Sequence, residues 1–181
     1  MEVHWRGFEL HPETPEGGID MGRRFGGARA AAMHDYMREF AARFGITDMV
    51  QPGHLPNTRR ILAAAEYARD HGDLDAFRQA AMNAYWRRGE NLQDEGVVRE
   101  IAAAAGVDPD AAIAAMDDDA YLARVDDVRR ESINVGVTGI PTFFIGDEVV
   151  VGCQPYETLA AAVEQAGGRR RRDASTGRAE G

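Results

Sequence analysis

The chain has 181 residues, 44% of them hydrophobic, with a net charge of −9 and a pI near 5.0. That length and apolar content suit one domain, or one domain with a large insertion, around a real core. The acidic balance argues against a nucleic-acid binder, whose footprint would be a basic face, and no run of about 18 apolar residues is present to span a membrane.

The first residues, MEVHWRGFEL, lack the basic, apolar and small-residue regions of a secretory signal, so the expected location is the cytoplasm. Residues 2–10 alternate loosely, with Val3, Trp5, Phe8 and Leu10 apolar, and predict a strand. HPETPEGG is a loop. From Ala28 to Phe44, Met33, Tyr36, Met37, Phe40 and Phe44 recur at helical spacing, predicting an amphipathic helix stopped at Gly45. QPGHLPNTRR is a second loop, in which Asn57 or Thr58 caps a helix ending at Gly72. Further helices are predicted over 74–88, from Asp94 to Gly106, from Asp108 with Pro109 at its first position, and over 118–135. TFFI and EVVV, split by Gly146-Asp147, read as a hairpin, and PYETLAAAVEQAG as a last helix. Residues 28–116 therefore read as a helical insertion in a minimal α/β layer formed by 1–27 and 117–166. Residues 167–181, with Arg169 to Arg172 and no apolar periodicity, read as a disordered tail.

All 21 positive charges are arginine, which with the many alanines looks like coding bias. The five histidines show no metal-ligand spacing, and one cysteine excludes both an internal disulfide and a Cys-rich zinc site, so no metal is expected. Trp5, Phe8, Tyr85 and Trp86 read as core or interface aromatics. Cys153 reads as a small buried side chain, since free cysteine is among the most buried residue types; the sharper alternative is a lone redox thiol.

The most informative stretch is NVGVTGIPTFFIGDEVVVGCQP, residues 134–155. Taken alone, Gly139-Ile140-Pro141 is a loop opening an edge strand, where proline is tolerated. Its context is a helix ending in glycine, Val-Thr-Gly-Ile-Pro-Thr, a hairpin and a C-terminal helix. That order resembles the second half of the thioredoxin superfamily, in which the proline is cis. Together with Phe8-Glu9-Leu10 and Pro12, Pro56-Asn57-Thr58, and Gly152 with Gln154-Pro155, residues 2–166 resemble the DsbA-like family, FrnE-type branch. The resemblance implies a thioredoxin-like α/β fold with a helical insertion. It also implies thiol–disulfide exchange on protein or small-molecule thiols and disulfides, with no cofactor. Thr138, Gly139, Ile140 and Pro141 are then the substrate-binding loop, and extended peptide, thiol proteins and a second copy of the chain are the expected partners, with no nucleic acid and no membrane.

The sequence departs from that family at its start. Members begin with a strand and a Cys-X-X-Cys at a helix N-terminus, where thiol pKa values fall and the thiolate attacks disulfides. Neither is here, so the N-terminal βα portion is expected to be missing, by a misassigned start or a shortened product, the former preferred. Cys153 is then the one candidate for a catalytic thiol, and the chain is expected to be inactive as written. Two alternatives follow. One is the kappa-class glutathione transferase or hydroxychromene carboxylate isomerase branch, which uses a serine and glutathione. The other is a non-catalytic module keeping the cis-proline groove for extended peptides.

Overall fold

The computed structural model describes residues 2–50 and 52–169; all of the expected tail beyond Arg169 lies outside them. The described residues form two compact units, one of residues 4–136 and one of residues 137–169 with residues 2–3.

The larger unit is built from helices whose starts are written in aspartates. Asp73, Asp94, Asp108 and Asp118 each accept hydrogen bonds from the second and third N–H groups of α4 (Leu74–Arg88), α5 (Glu95–Ala104), α6 (Pro109–Ala115) and α7 (Asp119–Asn134), groups that no carbonyl inside the helix can reach. At the start of α3 (Arg59–His71) the Asn57 side chain accepts from the Arg59 N–H at 2.9 Å, while Thr58, the cap by position, makes no side-chain bond. Gly89 ends α4 with φ +69, a left-handed conformation that favours glycine. α3 packs against α7, α4 and α6, and α5 against α4 and α6. Between them Phe77, Val98, Ile101 and Met116 are fully buried, in a lining of Ala64, Ala68, Ala84, Ala102 and Ala112 that lets the helix backbones approach closely.

Three features of this unit differ from the sequence reading. Residues 2–10 form no ladder. A strand exists through the hydrogen bonds of a neighbour, and no strand pairs with these among the described residues. Side chains hold much of the segment instead. Arg69 Nη2 donates to the Trp5 carbonyl at 2.9 Å, the Arg78 guanidinium lies 4.0 Å from the Trp5 ring centroid, and a Cβ at Gly7 would sit 2.7 Å from Leu62 Cδ2. Second, a short antiparallel pair joins β1 (Ile19–Asp20) to β2 (His54–Leu55), the latter inside the QPGHLPNTRR stretch that reads as loop, while β1 and the five-residue α1 (Met21–Phe25) fall in residues 19–25, to which the sequence reading gives no element. Gly18, at φ +71, permits this pairing, because a Cβ there would fall on the His54 ring. Third, α2 (Gly27–Ala42) forms as expected, but its apolar stripe does not face a core. Only Ala30 and Ala41 are buried, while Met33, Tyr36, Met37 and Phe44 are exposed.

The smaller unit is a hairpin and a helix. β3 (Thr142–Ile145) pairs antiparallel with β4 (Glu148–Val151) in the register Thr142↔Val151 and Phe144↔Val149, across a two-residue turn. Gly146 opens that turn at φ +59, and its missing Cβ would sit 3.0 Å from the Cβ of Ala166, just beyond α8 (Tyr156–Gln165). Thr142, Phe144, Val149 and Val151 share one face by strand alternation, and the last three of these are about half exposed.

Candidate substrate-holding loop

The loop between α7 and β3 is set by its two ends. α7 stops at Asn134, and Gly136, at φ +88, turns the chain out of the helix with its N–H on the Ile133 carbonyl. At the other end the Pro141 carbonyl accepts from the Gly152 N–H at 2.7 Å, fastening the loop to the far end of β4. Between them the Thr142 hydroxyl donates to the Gly139 carbonyl at 2.6 Å. The Ile140–Pro141 peptide is cis.

That arrangement leaves specific groups free. Thr138 is exposed and Ile140 is 49% exposed. The backbone N–H and C=O of both take no hydrogen-bond partner among the described residues. Gly139 has no atom within 4 Å of where its Cβ would be. An open stretch of main chain beside a strand can pair with an extended segment, since every backbone polar group seeks a partner.

Cys153 is exposed, which corrects the buried reading. It follows Gly152, whose φ of +80 ends β4, so its side chain sits on a surface turn instead of the sheet's covered face. Because Gly152 is bonded to Pro141, the turn carrying Cys153 adjoins the Gly139–Pro141 loop. The structure thus brings Thr138, Gly139, Ile140, Pro141 and Cys153 into one neighbourhood. The sequence reading quotes Thr142 as the last residue of Val-Thr-Gly-Ile-Pro-Thr but gives it no role; its hydroxyl closes the loop by reaching back three residues to Gly139.

The aromatics expected in the core or at an interface sit in the larger unit and are half-buried. Tyr85 packs edge-on against Trp86 and donates its hydroxyl to the His54 carbonyl at 3.1 Å; burial pushes that phenol above its usual pKa. A polar cluster in the same unit also went unread. Arg59 grips Asp126 with both terminal nitrogens, at 2.6 and 2.8 Å, and Nη1 lies 3.7 Å from the carboxylate of Glu9, which is 4% exposed. The hydrogen bond from Arg59 holds Asp126 below the usual carboxylate range. Asn57 Nδ2 donates to the Thr14 carbonyl at 2.6 Å, fixing the loop beside it. Among the described residues no group of His, Cys, Asp or Glu is arranged to hold a metal, and no helix is long and apolar enough to cross a membrane.

The model of the DSBA-like thioredoxin domain family matches residues 1–164. The chain belongs to that family. A solved structure similar to it is a probable DsbA oxidoreductase from Streptomyces coelicolor, at a TM-score of 0.75 and 25% identity, covering 91% of this chain and 75% of that one. A relative by sequence is a 2-hydroxychromene-2-carboxylate isomerase from Sphingobium xenophagum, 30% identical over 89 residues. That match takes in 49% of this chain and 46% of the isomerase, so the chain aligns with about half the length of that curated relative. The thioredoxin-like fold and the DsbA-like grouping expected from residues 134–155 and their companions agree with both likenesses.

Proposed function

We propose that these residues are the substrate-holding part of a thiol–disulfide oxidoreductase acting on protein or small-molecule thiols and disulfides. Thr138 to Pro141 pair through the main chain with an extended stretch of the substrate. The observation carrying this reading is the unpartnered backbone of Thr138 and Ile140, in a chain of the DSBA-like family.

Exchange needs two thiols. A thiolate attacks one sulfur of a disulfide and expels the other as a thiolate; a second thiol must then attack the mixed disulfide to release the product. The 181 residues contain one cysteine, Cys153. It can form a mixed disulfide and cannot resolve it. The intact mass of the protein isolated from its source cells bears on this reading: a mass above 19.8 kDa would leave room for an exchanging pair in the same protein. A mass of 19.8 kDa would favour the non-catalytic peptide module.

A second reading, the glutathione-dependent isomerase type, is favoured by the relative named above. Titration of the 181-residue protein with a cysteine-containing peptide and, separately, with glutathione distinguishes the two. Under the leading reading the peptide perturbs the amide signals of Thr138 to Thr142 and glutathione does not. Gly139→Leu adds a side chain where nothing stands within 4 Å, so stability should change by no more than about 0.5 kcal/mol. The added bulk should weaken peptide binding about tenfold or more by covering the main chain. Unchanged peptide affinity would count against the loop as the binding element.

A further inference from the structure

The apolar stripes of α3, α5 and α7 are used within the larger unit, through Ile61, Val98, Ile101, Val125 and Val128. That of α2 is not. Its 16 residues span about 24 Å; Tyr36 and Phe40 lie along it with ring centroids 6.4 Å apart, and Phe44, two residues past its end, brings its ring centroid 5.3 Å from that of Phe40. Tyr36 is 65% exposed and Met33 42%. Aromatic and methionine side chains clustered on a surface are the composition of interface centres.

Two properties of α2 say what covers it. The first is shape. Its N-terminal half carries small exposed residues, Ala28 and Ala32, on the face where its C-terminal half carries Tyr36 and Phe40. An antiparallel copy, related by a two-fold axis near His34, sets Tyr36 of each chain on Ala32 of the other and Phe40 on Ala28, bulk against small along the whole helix. The second is charge. Arg29 and Glu39 are both exposed, and neither has an ion-pair partner among the described residues; Arg29 rests its guanidinium 5.8 Å from the Phe25 ring centroid. In the same register Arg29 of each chain faces Glu39 of the other, so one alignment satisfies both charges twice. Such self-complementarity is what a two-fold interface requires.

We infer that the chain forms a symmetric homodimer through α2, aligned antiparallel with Arg29 opposite Glu39 of the second copy. This stands independently of the substrate reading. Sedimentation of the full chain at micromolar concentrations should give twice the 19.8 kDa chain mass. Arg29→Glu and Glu39→Arg should each weaken dimerisation about tenfold by replacing attraction with repulsion, and the double reversal should restore it. Tyr36→Ala should also weaken it, with helical circular dichroism unchanged in every variant because all these side chains are exposed. A species of 19.8 kDa throughout the concentration range, a dimer that none of these substitutions moves, or a double reversal that fails to restore association overturns the inference.

Discussion

Phe77→Ala is expected to lower the unfolding free energy by about 3–5 kcal/mol, the largest stability effect of any single substitution foreseen for this chain. Phe77 is 1% exposed and sits among Val98, Ile101 and Met116. Removing the ring forfeits its transfer free energy and leaves a cavity. The surrounding wall is largely alanine on helices already in close contact, which has no side-chain reach with which to fill the hole. For a domain whose whole stability is about 5–15 kcal/mol, the loss is a large fraction. Met82, on the same helix and 47% exposed, supplies the control: Met82→Ala should stay within about 0.5 kcal/mol. Urea titration of both variants checks this, and a cost below about 1 kcal/mol at Phe77 would mean that the helical core is not packed as described.

The helices were legible because their ends are chemical. An aspartate before an apolar period and a glycine after it each answer a backbone need that the helix itself creates, and Asp73 with Gly89 brackets α4 where the sequence places it. The apolar stripe of α2 was legible as a stripe but not as to what it meets, since periodicity reports a face and not its partner. Residues 2–10 show the same limit in a strand. Alternation marks Val3, Trp5 and Phe8, yet a ladder depends on a neighbour far away in sequence or outside these residues, which local pattern does not contain. The pair β1–β2 is two residues long and leaves no period to read.

Of the candidate site, the loop at Thr138 to Pro141 was legible because Gly-Ile-Pro-Thr between a helix end and a hairpin has few conformational solutions. Cys153 was misread because composition speaks of cysteines in general, whereas exposure at this position follows from Gly152 ending the strand. The ion cluster around Arg59 was illegible for a different reason. Its members come from residue 9, residue 59 and residue 126: the packing of α3 on α7 brings Arg59 to Asp126, and Glu9 joins them from the N-terminal segment, a juxtaposition no local pattern contains.

That cluster yields the second large effect. Arg59→Met is expected to cost about 2–3 kcal/mol at neutral pH, at or below the lower end of what breaking a buried pair costs, because the Arg59 side chain is 35% exposed and its charge is partly screened. The cost arises mainly at Glu9. Its carboxylate is 4% exposed and the guanidinium 3.7 Å away is the cation that the structure sets beside it; without Arg59 it becomes a buried charge with no counter-charge. The lost bidentate grip on Asp126 adds little, since that carboxylate is half in solvent and can be hydrated. The two contributions separate in a double-mutant cycle. If the buried charge dominates, Glu9→Gln should cost about 1 kcal/mol in the native background and should make Arg59→Met markedly cheaper, with a coupling of about 1–2 kcal/mol. If Arg59→Met costs the same whether residue 9 is Glu or Gln, the buried-charge account fails and the contact with Asp126 carries the effect. The result also bears on the N-terminal segment: residues 5–9 have no ladder, and the Arg59–Glu9 pair at one end, with the Arg69 and Arg78 contacts to Trp5 at the other, help hold them against the helices, so Arg59→Met should loosen the packing around Trp5, read as a change in its fluorescence, at a lower urea concentration than the loss of helical circular dichroism.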